Sequence, residues 1–127
     1  MKTVLVVDDA VFMRTTIKRM LENQPFNVIG EASNGLEAVE MYRKLLPDVV
    51  TMDITMPGMT GIEAVKAIMS EDPKAKIVMV TALGQQKLIV DAIESGAKDF
   101  VTKPFNPEQM IQVLTNVTDE YDGLWNS

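Results

Sequence analysis

Five short apolar runs rich in β-branched residues begin near Val4, Val28, Val49, Ile77 and Phe100, and between them the apolar positions change to a helical period. Met13, Ile17, Met20 and Leu21 share one helix face, as do Val39, Tyr42 and Leu46, and then Ile62, Val65, Ile68 and Met69. Leu88, Ala92 and Ile93 mark a fourth helix, and Met110, Ile111, Leu114 and Val117 a fifth. Pro25, Pro47, Pro73 and Gly96 fall where these helices should stop. The strand runs are nearly continuous instead of alternating, which implies burial on both faces and hence a parallel sheet. Five alternations of strand and helix predict a single doubly wound α/β domain, and the expected fold is flavodoxin-like (βα)5, for which the strand order is 2-1-3-4-5. The period fades after Val117, so the last residues read as a tail.

In such a sheet a ligand sits beyond the carboxyl ends of the strands, where the strand order reverses, here between the first and third strands. Asp8 and Asp9 close the run Val4-Leu5-Val6-Val7, and Asp53 closes Val49-Val50-Thr51-Met52. Topology therefore predicts that three carboxylates distant in sequence meet in space. Thr81 follows Ile77-Val78-Met79-Val80, and Lys103 follows Phe100-Val101-Thr102, which places a hydroxyl and an ammonium on the same edge. The second strand, residues 27–31, offers no site residue, as suits an edge strand.

Composition narrows the chemistry. With neither cysteine nor histidine, disulfides, thiolates and imidazole bases or ligands are excluded. A formal charge of −6 argues against a nucleic-acid surface, and 127 residues leave no length for a separate DNA-binding domain. No apolar stretch approaches the roughly 20 residues of a membrane span. The start, Met1-Lys2-Thr3, runs straight into the first strand without a secretory signal, so the expected location is the cytoplasm. If the protein signals, its output is a protein contact.

Two carboxylates about 4 Å apart repel by roughly 4 kcal/mol at an effective dielectric near 20, so three of them call for a raised pKa or a divalent cation. Oxygen ligands without His or Cys favour Mg²⁺, with Mn²⁺ as the alternative, and nothing matches a Ca²⁺-binding EF-hand loop. An aspartate beside such a metal can attack phosphorus and form an aspartyl phosphate. That transfer needs in-line positioning and neutralised equatorial oxygens more than acid–base groups. The metal can hold one oxygen, Lys103 another, and the Thr81 hydroxyl or nearby backbone N–H groups a third.

Asp8-Asp9 after the first strand, Asp53 within Met-Asp-Ile-Thr-Met-Pro-Gly-Met-Thr-Gly, Thr81-Ala82 after the fourth strand and Lys103-Pro104-Phe105 after the fifth occur in a specific order and spacing. In these features the chain resembles bacterial two-component response regulator receiver domains, and most closely the stand-alone chemotaxis regulators among them. The resemblance assigns residues 1–120 to the receiver domain and 121–127, with Tyr121 and Trp125, to a short C-terminal tail. It implies Asp53 as phosphoacceptor, Asp9 as the main direct metal ligand, Asp8 acting largely through bound water, and the Thr55 backbone carbonyl completing the metal's protein ligands. Thr81 would bond a phosphoryl oxygen, and Lys103 would pair with the phosphoryl group or, before it arrives, with Asp53. Phe100 occupies an aromatic switch position whose ring turns inward as Thr81 moves, and Thr55 and Leu83 stand where access of hydrolytic water is influenced. The family also suggests a cis bond between Lys103 and Pro104.

The implied function is a phosphorylation-activated switch, a signalling protein that catalyses only its own phosphotransfer and autodephosphorylation. Its partners would be a histidine kinase of the CheA type, a flagellar motor switch protein or other target bound through the fourth helix, fifth strand and fifth helix, and a phosphatase, with the chain itself a monomer. A phosphorelay intermediate passing the group to a histidine phosphotransfer protein is the alternative. An aspartyl-phosphate hydrolase would need a second Asp two residues after Asp53, where Thr55 stands; an FMN carrier would need an uncharged phosphate loop where Asp8-Asp9 stands. Taken singly, each residue has a plainer role: Asp8-Asp9 as a helix N-cap, Asp53 as a loop carboxylate, Thr81 as a strand end, Lys103 as a surface lysine and Phe100 as core. Met56 and Met59, beside the acceptor loop, are candidates for exposed, adaptable surface.

Overall fold

The computed structural model describes residues 1–119. Strand and helix alternate throughout: β1 (Lys2–Val7), α1 (Val11–Met20), β2 (Phe26–Ala32), α2 (Gly35–Leu45), β3 (Val49–Asp53), α3 (Gly61–Glu71), β4 (Ile77–Thr81), α4 (Gln86–Glu94), β5 (Asp99–Thr102) and α5 (Pro107–Thr118). All pairings are parallel and the order is β2-β1-β3-β4-β5, the predicted doubly wound topology.

Alternation of side chains along each strand explains the continuous apolar runs. Leu5, Val7, Val50, Met52, Ile77 and Met79 face one core with Val39 and Tyr42 of α2, Val65 and Ile68 of α3, and Ala92 of α4. Val4, Val6, Val49, Val78, Val80 and Val101 face the other, against Ile17 of α1 and Met110 and Leu114 of α5. Every residue of β3 and β4 is buried, whereas the edge strands β2 and β5 are only partly covered.

Local chemistry sets the helix ends. Asn34 accepts the Glu37 N–H at 2.8 Å to start α2, and capping boxes Thr60/Glu63 and Asn106/Gln109 start α3 and α5, the latter with Pro107 in its first turn. α4 stops just before Gly96, whose φ of 122° reverses the chain.

The helix pattern misplaces two residues. Leu46 is 66% exposed in the left-handed conformation that ends α2, so it is outside the buried face, and Ile93 is also exposed on α4. Met56 is buried and Met59 packs on the same core, contrary to an exposed role, because the loop after β3 folds back over α2 and α3. Phe100 as a core residue is corrected too: β5 is an edge strand and the ring is 39% exposed. The expected tail, with Tyr121 and Trp125, lies outside the described residues. Among the described residues no helix is long and apolar enough to cross a membrane.

Candidate functional site

β1 and β3 are neighbours with Val7 opposite Met52, so the residues that follow, Asp8 and Asp53, leave the sheet side by side. One oxygen from each of Asp8, Asp9 and Asp53 lies within 4.8 Å of the others. Asp8 and Asp53 are buried, while Asp9 is exposed at the rim. Lys103 reaches in from the end of β5. Its Nζ is 3.7 Å from Asp8 Oδ2 and 3.8 Å from Asp53 Oδ1, and its own N–H donates to the Thr81 carbonyl at 2.7 Å, which fixes it beside the end of β4. The Lys103–Pro104 peptide is cis.

Backbone anchors hold the carboxylates. The Arg14 guanidinium donates to the Asp8 carbonyl at 2.6 Å and to Glu31 at 3.1 Å, and Lys18 donates to the other Glu31 oxygen at 2.8 Å. This ties the β1–α1 turn to β2; the hydrogen bond from Lys18 foremost, with Arg14 adding to it, holds the Glu31 carboxyl below its ordinary range. Asp53 is fixed from behind: the Ile54 N–H donates to the Val80 carbonyl at 3.1 Å, and the Gly61 N–H to the Ile54 carbonyl at 3.0 Å. At Gly61 a Cβ would collide with the Asp53 carbonyl and lie 2.9 Å from Ile54 Cα, so only glycine lets α3 begin this close to the site.

Burial dominates the electrostatics. Asp53 is pushed up to about 6, first by loss of water and then by the Asp8 charge, with the Lys103 ammonium opposing both. Asp8 is raised as well, chiefly by burial, against a hydrogen bond from the Ala10 N–H and the pull of Lys103. Lys103 sits at the outer limit of ion pairing, which is why its attraction does not offset desolvation. Asp8 Oδ1 accepts the Ala10 N–H at 2.9 Å, but its buried Oδ2 has no hydrogen-bond partner. A buried, unsatisfied carboxylate oxygen facing two further carboxylates is a donor set suited to a hard divalent cation. A helix-capping role does not account for the pair, since the N-cap of α1 is Ala10 and no side chain caps that helix.

Thr81 ends β4 fully buried, and its hydroxyl donates to Gln85 Oε1 at 2.6 Å. The Ala82 N–H donates to the same oxygen at 2.7 Å, and Gln85 Nε2 donates to the Thr55 hydroxyl at 2.9 Å. The Thr55 N–H lies 3.4 Å from Asp53 Oδ1. Thr55 and Leu83 are both exposed. The structure therefore gathers Asp8, Asp9, Asp53, Thr55, Thr81 and Lys103 at one sheet edge and leaves Phe100 on the outer face of β5. Sequence reasoning gave no role to Gln85, or to Gly61 at the end of the acceptor motif. Only their places, at the start of a helix after a site strand, could have signalled them.

The sequence profile of the response regulator receiver domain matches residues 4–115. The chain is 53% identical over 117 residues to chemotaxis protein CheY of Thermotoga maritima, covering 92% of this chain and 98% of that protein. It is 50% identical over 111 residues to chemotaxis protein CheY of Bacillus subtilis, covering 87% and 92%. Among solved structures, it is similar to a chain of the CheX-CheY-BeF3-Mg complex from Borrelia burgdorferi, with a TM-score of 0.87, 38% identity, and coverage of 91% of this chain and 88% of that one.

Proposed function

The chain belongs to the response regulator receiver domain family, and from that premise we propose that it is a chemotaxis-type signalling switch that accepts a phosphoryl group on Asp53 from a histidine kinase. The observation that carries this reading is the convergence of Asp8, Asp9 and Asp53 within 4.8 Å, with Lys103 spanning Asp8 and Asp53.

Asp53, a carboxylate at neutral pH although pushed up to about 6, presents an oxygen to the phosphorus of a phosphohistidine. A P–O bond to Asp53 forms as the P–N bond breaks, and the imidazole nitrogen departs with that electron pair and takes a proton from water. Mg²⁺, with Mn²⁺ able to replace it, would be held by Asp9, Asp8, Asp53 and the Thr55 backbone carbonyl, and supplies positive charge against the phosphoryl oxygens. Lys103 neutralises a further oxygen, and the Thr81 hydroxyl donates to another. The later loss of the group to water is autodephosphorylation, with Thr55 and Leu83 at the exposed approach. The CheX-CheY complex of Borrelia burgdorferi supports a protein partner for this type of domain, and a phosphatase is among the partners assigned to this chain.

The target is a protein, the flagellar motor switch on this reading, bound through α4, β5 and α5 by a monomeric receiver in the cytoplasm. The half-exposed ring of Phe100 supports that face. The test uses Mg²⁺ and a small phosphodonor. The protein gains one acid-stable, base-labile acyl phosphate, and Asp53→Asn abolishes it while circular dichroism shows the fold retained. Undiminished labelling of that variant removes Asp53 from the role.

A further inference from the structure

Gln85 occupies the N-cap of α4 without capping it, and its side chain crosses the site instead. Its Oε1 takes two converging donors, the Thr81 hydroxyl at 2.6 Å and the Ala82 N–H at 2.7 Å. Its Nε2 donates to the Thr55 hydroxyl at 2.9 Å, so one carboxamide spans the loops that follow β3 and β4. Thr55 in turn approaches Asp53 Oδ1 through its N–H at 3.4 Å. An oxygen held by a hydroxyl and a backbone N–H at the end of β4 is in the situation an equatorial phosphoryl oxygen on Asp53 requires.

We propose that Gln85 is an internal stand-in for that oxygen, a positioning residue that keeps the Thr81 hydroxyl and the Ala82 N–H occupied until Asp53 is phosphorylated and then swings away. The proposal rests on the reading of Asp53 as acceptor and Thr81 as phosphoryl ligand. The exchange favours the phosphoryl group because hydrogen bonds to an anion are roughly twice as strong as those to a neutral amide. The amide still competes, so it raises the threshold for activation. Gln85 is half-buried and can turn into solvent, and Gly84 before it has a φ of 86° with open space where a Cβ would stand. Its departure also frees the Thr55 hydroxyl, which links the β3–α3 and β4–α4 loops in one event.

The test is titration of beryllofluoride in saturating Mg²⁺, followed by calorimetry. Gln85→Ala binds beryllofluoride about fivefold tighter than wild type, the worth of one net neutral hydrogen bond. Gln85→Asn, one methylene too short to span Thr81 and Thr55, behaves as Ala does. The gain disappears when Gln85→Ala is placed in a Thr81→Ala background, since the amide acts through that hydroxyl. Mg²⁺ affinity without beryllofluoride stays unchanged in the single variant, a result a general loosening of the loop would not give. Equal or weaker beryllofluoride binding by Gln85→Ala overturns the proposal, as does a gain that survives without Thr81. If wild type takes up no beryllofluoride, or Asp53→Asn takes up as much as wild type, the acceptor reading itself fails and the stand-in fails with it.

Discussion

Asp53 has lost most of its water, and the one ammonium that helps it, Lys103, lies as close to Asp8 as to Asp53. Asp8 from the end of β1, Asp9 beside it and Lys103 from the end of β5 are the charges that act on it. The folded state holds the Asp53 proton more tightly than the unfolded chain, with a value of about 6 against 3.8. Its contribution to stability is therefore full below about 4 and is lost as pH rises through 6, a change on the order of 2 to 3 kcal/mol. In chelator, urea titrations from pH 4 to 7 should show wild type losing ground relative to Asp53→Asn over that window; parallel curves would remove the strain from Asp53. The comparison with the variant is needed because Glu31 and Asp48, held below their ordinary range, add stability as pH rises. Asp9 belongs to the same cluster but is exposed, so Asp9→Ala relieves repulsion without opening a cavity. That variant should match or exceed wild type in metal-free melting temperature and lose most of the Mg²⁺-dependent rise. An equal Mg²⁺ shift in both proteins would take Asp9 out of the metal site.

At the scale of elements, the site depends on how tightly α3 is seated. Gly61 lets the first turn of α3 touch the backbone of Asp53 and Ile54. Gly61→Ala must push that turn outward, at a cost of about 1 to 3 kcal/mol typical of overpacking. Thermal unfolding should show the loss, and acyl-phosphate formation should slow as well because the Asp53 backbone is displaced; a stability loss with unchanged phosphorylation would make the contact purely structural. Strand ends were legible from sequence because each site residue closes an apolar run, and a parallel sheet sends those ends to one edge. The doubly wound class followed from the same cadence, and the strand order from the flavodoxin-like fold expected for it. Periodicity is blind to two things that decided the remainder. It does not say which strand is an edge, so Phe100 reads as core although β5 has a neighbouring strand on one side only. Nor does it reach loops: Met56 is buried by the path of the β3–α3 loop, and the Gln85 side chain bridges Thr81 and Thr55, a contact that no apolar period encodes.

Across the whole molecule, the site and the proposed docking face are joined by β4 and β5. Thr81 pairs with Thr102 and Met79 with Phe100, so the ring lies two residues down the neighbouring strand from Thr81, roughly 7 Å along it. In the present state the Thr81 hydroxyl is held by Gln85 and the ring stands outward. On the proposed mechanism a phosphoryl group draws Thr81 away, space opens beside β5, and the inward position of Phe100 becomes more populated. The phosphoryl group biases that equilibrium only by its differential affinity for the two states, and by reciprocity a bound target must favour phosphorylation to the same degree. Because the ring is half in water now, Phe100→Ala should cost little stability in the unphosphorylated protein and leave acyl-phosphate formation largely intact. It should reduce the phosphorylation-dependent gain in target affinity by about tenfold, the equivalent of roughly 1.4 kcal/mol of ring burial. Calorimetric binding of a flagellar motor-switch peptide, with and without beryllofluoride, measures that gain in both proteins. A variant that gains as much affinity as wild type would leave Phe100 an ordinary surface aromatic and require the signal to leave β4 by another route.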